Sequence, residues 1–539
     1  MNRHAQAISN RLSLREPQRK SLEILSGLCD ELVLKKDFSL AVELEKVKKS
    51  YPTCSDFERD FPSSCFSLAT GVGKTRLMGA FISYLYLEKG LRNFFVLAPN
   101  LTIYNKLIED FSNPSNAKYV FRGIGEFIST PPRIITGDNY SEARQAEFFQ
   151  GPVSINIFNI SKINSEVRGG REPRIKRLSE YLGESYFNYL ASLTDLVLLM
   201  DESHHYRADA GMRAISELKP ILGLELTATP IDNKGNKFKN VVFDYPLALA
   251  LRDGFVKEPA VATRKNFNPD QYRRDPKELD LIKLEDGIRI HENTKVALDI
   301  YARNSGNTLV KPFVLVVTRD TEHAGAIRNL IESDRFFGGR YRGKVMEIHS
   351  NQRGEEKEEN VQKLLDLEKP DSSVDIVIHV NMLKEGWDVT NLYTIIPLRA
   401  ANSQILTEQT IGRGLRLPYG RRTDDPKVDK LTIIAHDRFQ AIVDAANDPN
   451  SIIRKENIIE IDPSTLSQEQ EVVSGISVLE WNLAEKHFMT QSIKNTDDRK
   501  KAETELTAQK IIVETIGQLG REVKSLNELK RSEGRKFAL

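Results

Sequence analysis

The sequence predicts an α/β protein: two successive parallel sheets, each flanked by helices, followed by a mainly helical C-terminal region. Three observations carry this. Short apolar runs of strand length alternate with longer helical patterns, as in parallel sheets built from crossover units. The runs fall into two series separated by a polar, charged stretch, and few strand signals follow the second series. The chain has 539 residues, too many for one core, and about 3–4 domain-sized units is the prior from length.

The first series comprises residues 65–68, 94–98, 153–158, 196–200 and 222–226. The second comprises 313–317, 345–348, 376–380, 394–397 and 431–435. The organisation expected is therefore a first α/β domain over 1–256 with an N-terminal helical segment, a linker with a helix or two over 257–308, a second α/β domain over 309–445, and a C-terminal region over 446–539 whose stretch 477–526 reads helical and charged.

Composition narrows the class. Hydrophobic residues make up 40% and charged residues 28%, which suits a soluble globular chain rather than a disordered one. The formal net charge is +1. A protein that coats nucleic acid is usually more basic, whereas one that grips it in a groove can stay neutral overall. Cys29, Cys54 and Cys65 are not spaced as a metal site, and so few thiols point to a reducing compartment. The first residues hold no apolar signal core, and no run of about 18 apolar residues exists to cross a membrane. A cytoplasmic protein is the expectation.

Four motifs carry chemistry. Ser67-Leu68-Ala69-Thr70-Gly71-Val72-Gly73-Lys74-Thr75 follows a strand-like run and opens a helical pattern marked by Leu77, Met78, Phe81, Tyr84 and Leu85. That is the context of a phosphate loop. Gly71 and Gly73 let backbone N–H groups face phosphate oxygens, and the helix start adds positive potential. Thr70 and Val72 complete the loop, Lys74 is placed to reach the β- and γ-phosphates, and the Thr75 hydroxyl to hold Mg²⁺. The general pattern starts with Gly where Leu68 stands. ATP and Mg²⁺ are the cofactors this loop implies.

Next, the apolar run 196–200 ends in Asp201-Glu202-Ser203-His204. Carboxylates at the C-terminal edge of a parallel sheet lie where ligands bind. Asp201 is the candidate for Mg²⁺, Glu202 for deprotonating an attacking water, and His204 for sensing the γ-phosphate. Then Leu226-Thr227-Ala228-Thr229-Pro230 also follows a strand-like run. Its hydroxyls, Thr227 and Thr229, are candidates for coupling the carboxylate site to a ligand path. Last, Gln409-Thr410-Ile411-Gly412-Arg413-Gly414-Leu415-Arg416 puts two arginines three apart on one helical face. The phosphoryl-transfer transition state spreads charge over three equatorial oxygens, which a guanidinium fork suits. The first domain supplies no arginine finger by pattern, so the second would have to close on the nucleotide held by the first.

In this order the motifs resemble those of superfamily 2 DExH-type helicases and translocases over residues 12–438, and more narrowly the motor portion of the restriction (Res) subunit of type III restriction enzymes. The narrower likeness rests on Asp201-Glu202-Ser203-His204-His205-Tyr206-Arg207, on Lys311-Pro312-Phe313-Val314-Leu315, and above all on Lys384-Glu385-Gly386-Trp387-Asp388-Val389-Thr390-Asn391-Leu392. The resemblance implies two tandem RecA-like domains with ATP hydrolysed between them. It implies that Gln18 reads adenine, that Gly386 and Asp388 touch ribose and nucleic acid, that Gln409 contacts the nucleotide, and that Arg413 and Arg416 form the finger pair. Pro99, Asn100, Thr318 and Arg319 would meet the phosphate backbone of a nucleic acid.

Type III restriction subunits are longer and end in a nuclease domain. The tail of this chain offers one Glu522-Val523-Lys524 triplet in a helical pattern, which is not read as a nuclease site. The expectation is a DNA translocase or helicase in a restriction or anti-phage setting, with a nuclease, methyltransferase or other defence subunit as partner. Two alternatives stand beside it: an RNA helicase, and a nucleic-acid sensor whose ATP cycle switches a partner complex.

Overall fold

A computed structural model describes residues 2–116, 118–137, 139, 153–159, 184–207, 215–232, 235–265, 267–272, 274–349, 363–364, 366–369, 372–380, 389–398, 414–423, 425–436, 457–462, 499 and 501–509. The chain divides into two compact units, Met1–Gln468 and Glu469–Leu539. The first holds both sheets. In the second, the described residues 501–509 are helical.

Three helices come first: α1 (Arg3–Arg11), α2 (Glu16–Glu31) and α3 (Leu40–Ser50). The first sheet is built from β1 (Ser63–Leu68), β2 (Asn93–Ala98), β3 (Arg133–Ile135), β4 (Ser154–Asn159), β5 (Leu196–Asp201), β6 (Leu222–Thr227) and β7 (Val241–Tyr245). Its order is β3-β4-β2-β5-β6-β1-β7, with every pairing parallel. β1 is followed by α4 (Lys74–Lys89), and β2 by α5 (Leu101–Ser112). β1, β5 and β6 are buried at every position, as central strands covered on both faces are.

The second sheet comprises β8 (Glu258–Arg264), β9 (Phe313–Thr318), β10 (Val345–His349), β11 (Ile376–Val380), β12 (Leu392–Pro397), β13 (Lys430–Ile434) and β14 (Ile458–Ile461). Its order, β10-β11-β9-β12-β13-β8-β14, is again wholly parallel. The molecule therefore carries two tandem RecA-like lobes, the fold class expected from the strand series.

The stretch 257–308 is more than a linker. β8 pairs with both β13 and β14, and the 30-residue helix Pro276–Ser305 packs on β12, β13 and β9. β14 likewise extends the second sheet past residue 445. The pattern of β8 is weak in sequence because Pro259 and five small or polar residues dilute it, and proline demotes a strand reading. Its missing N–H does no harm here, since β14 pairs only from Val261 onwards.

The polar stretch gives way to a connection, 251–258, that leaves the first lobe after the short helix Leu247–Arg252 and enters β8. One apolar cluster runs through it from lobe to lobe, joining Phe66, Leu68 and Val72 to Val256, Leu392 and Leu415. The three cysteines are buried free thiols. Among the described residues, no helix is long and apolar enough to cross a membrane.

Candidate active site

Parallel strands bring the first three motifs to one edge. β6 lies between β1 and β5, so the loop after β1, the carboxylates ending β5 and Thr227 ending β6 meet at the C-terminal edge of the sheet. This is where an open α/β sheet binds ligands.

The loop between β1 and α4 turns on two left-handed glycines, Gly71 (φ 82°) and Gly73 (φ 101°). A side chain is barred at either one. A Cβ on Gly71 would meet Val256 Cγ1 at 2.9 Å, and one on Gly73 would meet Gln18 Nε2 at 2.6 Å. Lys74 and Thr75 open α4, a 16-residue helix whose first turn presents unpaired N–H groups to an anion. Val72 is buried beneath the loop. The Lys74 ammonium stands 3.0 Å from Glu202 Oε1.

Glu202 itself is left-handed (φ 47°, ψ 56°), a conformation that costs a non-glycine residue about 1–3 kcal/mol and tends to mark working sites. It turns the chain abruptly at the end of β5. Asp201, 6% exposed, accepts the Glu202 N–H at 3.1 Å. Burial pushes the Asp201 carboxyl up to about 6; the Glu202 charge adds to this and Lys74 opposes it. His204 Nδ1 lies 3.0 Å from Thr227 Oγ1 and 3.7 Å from Glu202 Oε2. The Thr227 hydroxyl donates to Thr229 O, so Nδ1 of His204 is left to donate to it. Thr229 in turn donates its N–H to Thr227 Oγ1. Glu202, His204, Thr227 and Thr229 thus form one hydrogen-bonded or electrostatically linked row.

The second lobe reaches this site through Arg416. A Cβ on Gly71 would lie 3.9 Å from Arg416 Cγ. Burial draws the guanidinium down to about 10, and the charges of Glu368, Asp201 and Glu202 hold it up. Lys106 of α5 belongs to the same field: burial and the Arg416 charge bring it down to about 8, against Asp110 and Asp201. Sequence reading did not single out Lys106, because one lysine on an amphipathic helix carries no signal.

Other expected residues stand differently. Gln18 is buried, and its amide is engaged by the protein: Nε2 donates to Gly73 O at 2.8 Å and Oε1 accepts from Arg15 N at 2.8 Å. It braces the glycine loop and starts α2. Its neighbour Arg15, not expected, bridges the lobes by donating to Gly71 O (2.8 Å) and Gly420 O (2.6 Å). Asn100 accepts from Ile103 N and caps α5, while Pro99 is buried. Thr318 is wholly buried and donates to His379 O, so its side chain is not presented to a phosphate; Arg319 beside it is exposed. Gly386, Asp388, Gln409 and Arg413 lie outside the described residues.

The segment ending β5 has a second anchor that sequence reading missed. Glu225 of β6 is wholly buried and accepts from Arg59 (3.1 Å), Ser63 (2.8 Å), Asn240 (3.1 Å) and Arg207 (2.6 Å). Burial alone would raise its pKa, but the Arg59 and Arg207 guanidiniums hold it at about 2. Glu225 and Thr227 are two apart on one strand and face the same side. Residues 203–207 are therefore pinned to β6 at both ends.

Comparison with known proteins agrees with the motifs. Residues 12–232 match the model of the family described as type III restriction enzyme, res subunit. A Haemophilus influenzae protein described as the Res subunit of the HindVIP type III restriction-modification enzyme is 30% identical over 158 residues, which are 28% of this chain and 26% of that one. The match thus spans about a quarter of the relative's length. Among solved structures, a fragment of an HsdR subunit of a type I restriction enzyme from Vibrio vulnificus YJ016 aligns with a TM-score of 0.42 and 17% identity, covering 84% of this chain and 72% of that one. S. cerevisiae Dbp5 bound to RNA and ADP BeF3 aligns with a TM-score of 0.40 and 11% identity, covering 84% and 95%. Residues 12–232 are thus similar to the res subunit of type III restriction enzymes, the narrower of the two likenesses carried by the motifs.

Proposed function

We propose that this chain is an ATP-driven motor that moves on DNA, hydrolysing ATP between its two lobes, and that it serves a restriction-type system in which a partner subunit cuts or modifies. The observation that carries the reading is the meeting of Lys74, Asp201, Glu202 and Arg416, three from one lobe and one from the other, around the glycine loop. A nucleotide-binding protein without a motor cycle has no need of a second lobe there.

The residues suit ATP and Mg²⁺. The loop is closed to a Cβ at both glycines, α4 opens on unpaired N–H groups, and Thr75 and Asp201 supply the hard oxygen donors Mg²⁺ prefers. When bound, Mg²⁺ neutralises charge on the phosphate oxygens. Lys74 would exchange its carboxylate partner for the terminal phosphates, which frees Glu202 to accept a proton from the attacking water. Burial raises the Asp201 pKa, and Mg²⁺ held there would favour the ionised carboxylate against it. Arg416 would meet the charge developing on the equatorial oxygens, a role in which such an arginine contributes about 10³–10⁵ in rate. His204 and Thr227 would carry the state of Glu202 along β6.

DNA is preferred over RNA because the family model and the curated relative both describe restriction enzymes. The test compares steady-state Mg²⁺-dependent ATPase with no nucleic acid, duplex DNA, single-stranded DNA and RNA. Stimulation by DNA is the expected result. Stimulation by RNA alone would move the assignment to an RNA helicase. Hydrolysis without stimulation would favour a switch that signals to a partner.

A further inference from the structure

Lys257 stands one residue before β8, at the point where the connection enters the second lobe, and it is wholly buried. Its Nζ donates to three main-chain carbonyls: Thr390 at 2.6 Å, Leu392 at 2.9 Å and Gly414 at 3.3 Å. The same nitrogen lies 3.8 Å from the centre of the Tyr393 ring, and the Lys257 backbone N–H donates to Leu415 O at 2.7 Å. Three acceptors match the three donors of an ammonium; a neutral amine would aim its lone pair at a carbonyl oxygen. Burial draws the pKa well down, while the carbonyls, the ring and the more distant Glu368 and Asp429 favour the charge. A buried charge is costly unless its geometry is well satisfied, so its placement calls for a reason beyond packing.

The reason lies in what it joins. The preceding residue, Val256, is the side chain that a Cβ on Gly71 would strike, so the connection rests on the phosphate loop. Arg422 brackets the same connection, donating to Leu251 O (2.9 Å), Val256 O (3.2 Å) and Glu258 Oε1 (2.6 Å). The acceptors Gly414 and Leu415 lead directly into Arg416. One ammonium therefore ties the strap lying on the phosphate loop to the segment that carries the arginine.

We propose that Lys257 is a positioning residue for hydrolysis, setting where the Arg416 guanidinium stands relative to the phosphate loop. This rests on the reading of the cleft as an ATPase site. Arg416 acts only if its guanidinium meets the developing charge, and a misplacement of about 1 Å can cost about 10²-fold in rate.

The experiment measures kcat and the affinity for a non-hydrolysable ATP analogue on the full chain, for wild type, Arg416→Ala, Lys257→Met and the double variant, with melting temperature followed alongside. Lys257→Met is expected to bind the analogue as wild type does, to lose about 10²-fold in kcat, and to lower kcat no further in the Arg416→Ala background. A purely structural lysine would lower the melting temperature and leave kcat per folded molecule unchanged, or would lower kcat by the same factor in both backgrounds; either result overturns the proposal. Should Lys257→Met fail to fold, Arg422→Gln loosens the same strap from its half-exposed side and is held to the same non-additivity. Absence of turnover in wild type itself would instead remove the ATPase reading on which the proposal stands.

Discussion

Lys74 and Glu202 satisfy one another across 3.0 Å, and in the hydrolysis proposed here each must release the other. Glu202→Gln keeps the shape and removes the proposed base. The variant is expected to bind ATP with near wild-type affinity, to turn over about 10²–10⁴-fold more slowly, and to accumulate on nucleic acid in the presence of ATP, as read by analogue binding and single-turnover hydrolysis. Loss of nucleotide binding would make Glu202 structural. Glu225 sits at the other end of the same loop, and its pKa is about 2 when folded against about 4.3 for an unperturbed glutamate. The folded value is the lower one, so the charged form stabilises the fold. That contribution is complete above about pH 4.3 and is lost as pH falls towards 2. Glu225→Gln leaves the buried Arg59 guanidinium without a carboxylate and Arg207 with Glu58 alone, and is expected to cost about 3–5 kcal/mol at neutral pH. In urea unfolding at a series of pH values, its deficit relative to wild type should stay constant down to about pH 4.3 and shrink below it. A pH-independent deficit would contradict the assignment of the charge.

The elements that sequence made legible are those whose pattern is set by burial alone. β5 and β9 are apolar up to their last residues, Asp201 and Thr318, and buried at every position, so their ends, and hence Asp201 and Arg319, could be placed from residue type. The missed strands fail for separate reasons. β3 has three residues, below the length at which alternation shows. β7 and β14 are edge strands with exposed positions, and β8 holds a proline. The network around Glu225 was invisible because its members, Arg59, Ser63, Arg207 and Asn240, are far apart in sequence and gather only once β1, β6 and β7 pair. Packing of the helix Pro276–Ser305 against the second sheet is a property of the element. A Cβ on Gly287 would meet Ile396 Cδ1 at 2.4 Å and Ile434 Cγ1 at 3.2 Å. Overpacking of this kind costs about 1–3 kcal/mol, which exceeds or matches the roughly 1 kcal/mol of helix propensity that alanine adds. Gly287→Ala is expected to lower the urea midpoint. An unchanged or higher midpoint would show that the helix can shift away from the sheet.

Across the first unit, two sheets share the same parallel design, and the lobes are joined at the glycine loop by Arg15, Val256 and Arg416. With a net charge of only +1, the proposed binding to nucleic acid must come from a few local cations rather than from the overall field. Arg319, exposed at the end of β9, is one candidate. Arg319→Ala is expected to weaken binding to DNAs of different sequence alike and to reduce the slope of log K against log [salt] by about 0.7–0.9; a loss confined to one sequence would place it on a base instead. The claim on which the rest depends is that ATP is hydrolysed at the glycine loop. The most direct measurement is DNA-stimulated, Mg²⁺-dependent ATPase of Lys74→Ala beside wild type, with circular dichroism to verify the fold. Wild type is expected to turn over robustly and the folded variant to lose at least about 10²–10³-fold. Turnover retained by folded Lys74→Ala would contradict it.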